Sequence, residues 1–177
     1  MFSQLMALAL SGGMQSSAVD QPAPSPPACA ASENRQFDFW VGKWDVFDPK
    51  TNKKVAESLI ESVYRGCGIR ENWRPKTSGG GSLNIYIPQE KKWFQSWIDA
   101  QGSRAEFVGG WNGKAMVLEG DWPTPAVPGQ PNRVRMTYTP YPDGSVRQTG
   151  EVSTDDGKTW KPSFDFIYRH AAEGEAK

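Results

Sequence analysis

Ten short runs of alternating apolar and polar residues, each stopped by a turn signal, constrain this chain more than any other feature. They are FWVGKWDVFD (39–48), KVAESLIESVY (54–64), IRENWR (69–74), SLNIYI (82–87), KWFQSWID (92–99), RAEFVGGW (104–111), KAMVLEGDW (114–122), RVRMTYTP (133–140), SVRQTGEVS (145–153) and PSFDFIYRH (162–170). A period of two places one apolar face on each run, the signature of a half-buried strand. Between the runs stand Asp48-Pro49, Gly66, Gly79-Gly80-Gly81, Pro88, Gly102, Asn112-Gly113 and Asp143-Gly144, all turn-forming residues. An antiparallel meander this long carries two unpaired edges unless it closes on itself. The pattern therefore predicts an all-β fold, a closed antiparallel up-and-down barrel of about eight to ten strands. A barrel of that size can hold one small molecule.

The chain has 177 residues, enough for one domain plus ends. Basic and acidic residues balance at 20 each, and no basic stripe marks a nucleic-acid surface. The apolar run at residues 5–10, followed by small residues at Ser16 and Ala18, predicts a secretory signal over 1–18, although no Lys or Arg precedes it. The run is too short to span a bilayer, so no stable membrane insertion is expected. Residues 19–36, rich in Pro, Ala and Ser, read as a linker, 37–170 as the barrel domain and 171–177 as a disordered tail. Export implies a periplasmic or secreted protein, in which Cys29 and Cys67 should pair. Two Cys and one His are too few for the usual zinc site, so no metal is expected.

Gly42-Lys43-Trp44 opens the first run and Arg169 ends the last. In a closed barrel those strands are neighbours, and a guanidinium over the Trp44 ring would seal the seam. This arrangement resembles the closing motif of lipocalin and calycin barrels. The stretches FDFWVGKWDV, GCGIRENW, SLNIY, KWFQSWID, VRQTGEVSTDDGKTW and FDFIYR, in that order, resemble an uncharacterised bacterial family of exported calycin-like barrels, over most of residues 37–169. The resemblance implies a fold and no chemistry. Where that family tends to carry a large aromatic, this chain has Gly150, which implies a roomier or differently shaped interior if the position faces inward.

STDDGKTW (153–160) has the letters of the hairpin turn that recurs in sialidases. Here it occurs once, in a chain too short for a six-bladed propeller. It reads as structural: Asp155 accepting turn amides, Gly157 taking positive φ, and Trp160 folding over the loop.

Polar side chains interleaved with aromatics mark the candidate site. If those faces point inward, the lumen holds Glu71, Trp73, Asn84, Tyr86, Gln95, Trp97, Arg135, Gln148 and Tyr168, aromatic walls with a few hydrogen-bonding groups. Parity alone leaves open which face is inward. Small-molecule binding is the leading reading. An enzyme on the same cavity would use Glu71 or Asp99 as general base, with Tyr86 or Arg135 stabilising negative charge. A third reading is a structural or protein-interaction module with a filled barrel. No cofactor is expected; haem through His170 would need that residue to face the cavity, and it stands at the end of the last strand.

Overall fold

The computed structural model describes residues 28–123 and 132–172. The expected signal at 1–18, the first half of the linker, residues 124–131 and the end of the tail lie outside the described residues.

Ten antiparallel strands close into one barrel in which each pairs with the next and the last returns to the first. They are β1 (Gly42–Phe47), β2 (Lys54–Val63), β3 (Gly68–Pro75), β4 (Gly80–Ile87), β5 (Lys92–Asp99), β6 (Arg104–Trp111), β7 (Met116–Asp121), β8 (Arg133–Pro140), β9 (Val146–Ser153) and β10 (Lys161–His170). Every predicted run is a strand. The largest boundary shift is at β1, which begins at Gly42 and not at residue 39. Asp38–Trp40 forms a short 3-10 turn there, preceded by another at Ser32–Arg35.

Those two turns give the barrel a closed end. Phe37 and Trp40 are fully buried, their rings stacked at 4.9 Å. Phe37 also meets Trp93 at 5.7 Å and Tyr138 at 5.1 Å, and Trp40 meets Tyr138 at 4.9 Å. The Trp44 indole N–H donates to the Trp40 carbonyl at 2.8 Å, tying the plug to β1. The segment read as linker up to residue 36 thus ends in a structural element. The reason is that a barrel lumen left open at both ends would expose its aromatic lining to water. The Cys29–Cys67 disulfide anchors the segment to the chain between β2 and β3. Arg35 adds a hydrogen bond to the Gly66 carbonyl.

The seam between β1 and β10 is in register from Trp44↔His170 to Phe47↔Ile167. The predicted capping of Trp44 by Arg169 is corrected here. Arg169 is on the outer face, where it lies 4.7 Å over the Phe47 ring and donates to Asn52. The His170 imidazole stacks on Trp44 instead, 4.1 Å between centroids. The physical reason is parity: Trp44 faces inward, and the residue directly opposite on β10 is His170, while its neighbour points out.

Charged pairs cover the outer wall, among them Arg70–Glu61, Arg147–Asp165 and Arg135–Glu151, each at 2.7 Å. Such exposed pairs add little stability. Leu83, Ile85 and Ile98 are exposed on the same wall, along β4 and β5. Among the described residues no helix is long and apolar enough to cross a membrane.

The STDDGKTW turn is closed by its own side chains. Asp155 Oδ1 accepts from the Ser153 hydroxyl at 2.7 Å and the Thr159 amide at 2.8 Å, and its Oδ2 accepts from the Thr159 hydroxyl at 2.6 Å. These donors hold the Asp155 carboxyl well below its usual range. Gly157 has φ +83°, and the Trp160 indole N–H donates to its carbonyl at 3.0 Å. The turn is a self-contained clasp at one end of the barrel.

Candidate functional site

The barrel interior has two unlike halves. At the plugged end the rings of Phe37, Trp40, Trp44 and Trp93 are fully buried. Toward the other end, beside the loops that follow β1, β3, β5 and β9, the inward rings become half-buried and surround a cavity of about 210 Å³. The interior therefore is not filled throughout. Trp73, Trp97, Phe107, Trp122, Phe164 and Phe166 supply aromatic wall, Met136 a sulfur, and Glu71, Gln95, Gln148, Tyr138 and Tyr168 the polar groups.

Strand alternation places these groups. On β3, Ile69, Glu71 and Trp73 face in while Arg70 and Asn72 face water. On β5, Trp93, Gln95 and Trp97 face in. Ser82 and Asn84 do so on β4, Gln148 on β9 and Tyr168 on β10. Register sets Glu71 opposite Ser82 and Asn84 opposite Gln95. The result is one continuous hydrogen-bonded chain across the barrel. Tyr168 donates to Gln148 Oε1 at 2.6 Å, and Gln148 Nε2 donates to the Tyr138 oxygen at 3.0 Å. Gln95 Nε2 donates to Asn84 Oδ1 at 2.8 Å and reaches the Tyr138 oxygen at 3.5 Å. Asn84 Nδ2 donates to Ser82 Oγ at 3.1 Å and to the Ile69 carbonyl at 3.0 Å, and Ser82 Oγ donates to Glu71 Oε2 at 2.8 Å. A buried amide pays no penalty only while partnered, and this ladder partners each of them.

Glu71 ends the ladder. It is 7 % exposed, and among the described residues the Ser82 hydroxyl is its one hydrogen-bond donor and no cation pairs with it. Burial pushes its carboxyl up from 4.5 to about 7, the Ser82 bond opposing this only in part. The same burial, reinforced by the nearby Glu71 charge, raises the hydroxyls of Tyr138 and Tyr168, so both stay neutral donors.

This has a measurable consequence. Between 4.5 and about 7 the folded state binds a proton that the unfolded chain has released. Stability is therefore full below the unfolded value and falls as pH rises through the folded one, the opposite of a salt-bridged carboxylate. The rise corresponds to on the order of 3 kcal/mol. Urea unfolding at pH 5 and pH 8 should show that loss in the native chain and a much smaller one in Glu71→Gln. Equal slopes in both would mean that Glu71 is not the group responsible.

Of the predicted site residues, Glu71, Trp73, Gln95, Trp97, Gln148 and Tyr168 line one cavity. Asn84 is fully buried behind it, as the centre of the ladder. Tyr86 faces in but belongs to the plugged end, its ring 6.1 Å from Trp93. Arg135 is a correction: it lies on the outer wall, bonded to Glu151 at 2.7 Å, with its guanidinium 4.3 Å over the Trp160 ring. Register puts it between Glu119 and Glu151, so an outward charge ladder fixes its face, while Val134, Met136 and Tyr138 take the inward one. It neither pairs with Glu71 nor faces the lumen. Asp99 is a turn residue, its Oδ1 accepting the amides of Gln101 and Ser103, each at 2.9 Å. An enzyme reading keeps Glu71 alone from its four residues. His170, against Trp44, belongs to the plugged end and faces no cavity that could seat a haem. Among the described residues no three His, Cys, Asp or Glu side chains gather as for a metal.

Gly150 does face inward, and it makes room for a neighbour. A Cβ there would stand 2.1 Å from the Phe164 ring, which lies over the glycine and forms cavity wall. The expected vacancy is a ring supplied by the next strand.

No protein-family model matches the chain, and no curated protein matches it either.

Proposed function

We propose that this is an exported calycin-type barrel that binds a small, partly apolar molecule in the half of its lumen away from the plug. The carrying observation is the cavity itself, walled by aromatic rings and floored by a satisfied polar ladder with one carboxyl. Small-molecule sites combine just these, a mostly apolar enclosure and a few placed polar groups. At about 210 Å³ the cavity is below the volumes that hold drug-sized ligands, so the occupant is small. Trp73, Trp97 and Tyr168 enclose it, while Glu71, Gln95 and Gln148 orient it and Asn84 holds Gln95 in place. The Cys29–Cys67 bridge supports a life outside the reducing cytoplasm.

Native mass spectrometry of protein purified from its own organism should reveal a co-purifying small molecule. Trp97→Ala and Gln95→Ala should each lower its occupancy severalfold, with far-UV spectra unchanged. Retention of the same mass at full occupancy in both variants would remove the cavity as its site.

One observation favours a second reading. A carboxyl near 7 can take or give a proton at neutral pH, which suits proton transfer on a bound substrate. Turnover of the co-purifying molecule that vanishes in Glu71→Gln while binding persists would establish it.

A further inference from the structure

Resting on that binding reading, we propose that the cavity selects a small organic monocation, a protonated or quaternary amine with apolar substituents, held by Glu71 and the surrounding rings. Three observations bring charge sign into the site. First, Glu71 is the one ionisable acid or base in the cavity wall among the described residues; the other hydroxyls there belong to Tyr138 and Tyr168 and stay neutral. Second, among the described residues no Lys, Arg or His contributes to that wall, and Arg135 lies on the outer wall against Glu119 and Glu151. The carboxyl is thus buried without a positive partner. Third, the rest of the wall is aromatic: Trp73 meets Phe166 at 5.5 Å, Phe164 stacks on Phe166 at 5.2 Å, and Trp97 and Trp122 complete the ring set.

Each fact alone is compatible with a neutral ligand. Together they describe a place where a cation gains twice. Ring faces attract a desolvated ammonium, and a set of them forms the cage by which quaternary ammonium groups are recognised. The carboxylate then supplies the opposite charge in a weakly screened interior, where it is worth far more than in water. An anion meets the reverse, the repulsion of Glu71 and of the ring faces. The apolar substituents replace water against Met136 and Phe107.

Charge and pH are then coupled. In the empty cavity Glu71 takes up a proton near neutrality because burial disfavours its charge. The groups facing it are Ser82 from β4, Tyr138 from β8 and Tyr168 from β10, none of which changes charge in this range. A bound cation stabilises the carboxylate, so binding expels that proton. Affinity rises with pH through about 7 and levels off above it.

The test uses benzyltrimethylammonium and its uncharged isostere neopentylbenzene, followed by tryptophan fluorescence, with calorimetry of the cation in two buffers of different ionisation enthalpy. The proposal expects the cation to bind at least tenfold more tightly than the isostere at pH 8, and to lose more than tenfold in affinity between pH 8 and pH 5.5. It expects proton release near pH 6.5, read from the native chain and so independent of any variant's folding. Glu71→Gln should bring the two probes to similar, pH-independent affinities. An isostere that binds as tightly as the cation, or a cation that binds without proton release, overturns the charge assignment and leaves the binding cavity standing. Failure of both probes to bind overturns the two together.

Discussion

Trp40→Ala is expected to destabilise the protein by about 3–5 kcal/mol, the cost of removing a large buried aromatic. Trp40 is fully buried, stacked on Phe37 and packed on Tyr138. Tyr138 in turn receives the hydrogen bond of Gln148. The substitution therefore opens the plugged end and loosens the ladder beneath it. Because a domain of this kind has only about 5–15 kcal/mol in total, the loss is a large fraction of its stability. Urea unfolding monitored by circular dichroism measures it. A loss below about 1 kcal/mol, the scale of an ordinary surface change, would mean that the N-terminal turns rest on the barrel without closing it.

The paired change Cys29→Ser with Cys67→Ser should cost nearly as much, roughly 3–4 kcal/mol in the chain-entropy account. The bridge spans 38 residues and fixes the start of the plug to the chain before β3. Its removal frees the N-terminal segment in the unfolded chain and leaves Arg35 and Gly66 to hold the plug end. The expected signature is a lower urea midpoint for the serine variant, matched by the native chain under reductant. Identical midpoints with and without reductant would show that the bridge carries no stability.

Which parts of this were legible beforehand follows from what kind of signal each carried. Strands announce themselves by alternation and turns by Gly, Pro and Asn, so the ten runs and the barrel could be read directly. Facing is harder, because a period of two has two faces. In KWFQSWID both faces carry aromatics, and Gln95 between Trp93 and Trp97 proved to be inward. In RVRMTYTP one face carries Arg133 and Arg135, whose hydrogen-bonding chemistry suits a binding site. The other face, Val134, Met136 and Tyr138, is the more apolar one and is the face that enters the core, which puts Tyr138 and not Arg135 at the cavity. The same alternation that turns Tyr168 inward also turns Phe166 and Phe164 inward, although neither carries a polar group to mark it. The pairing of Arg135 with Glu119 and Glu151 needs register, which no single strand contains. The plug leaves no such pattern in the sequence. A 3-10 turn of three residues has no periodicity, and Phe37 and Trp40 were indistinguishable from the start of the first strand.

The most direct test of the central claim, one plugged end and one binding end, is ¹⁵N-NMR of the eight tryptophan indoles during titration with neopentylbenzene and, separately, benzyltrimethylammonium. The account predicts that Trp73, Trp97 and Trp122 shift on saturation with a bound probe while Trp40, Trp44 and Trp160 stay in place. Shifts concentrated at Trp40 and Trp44, or at Trp160 on the outer wall, would contradict it.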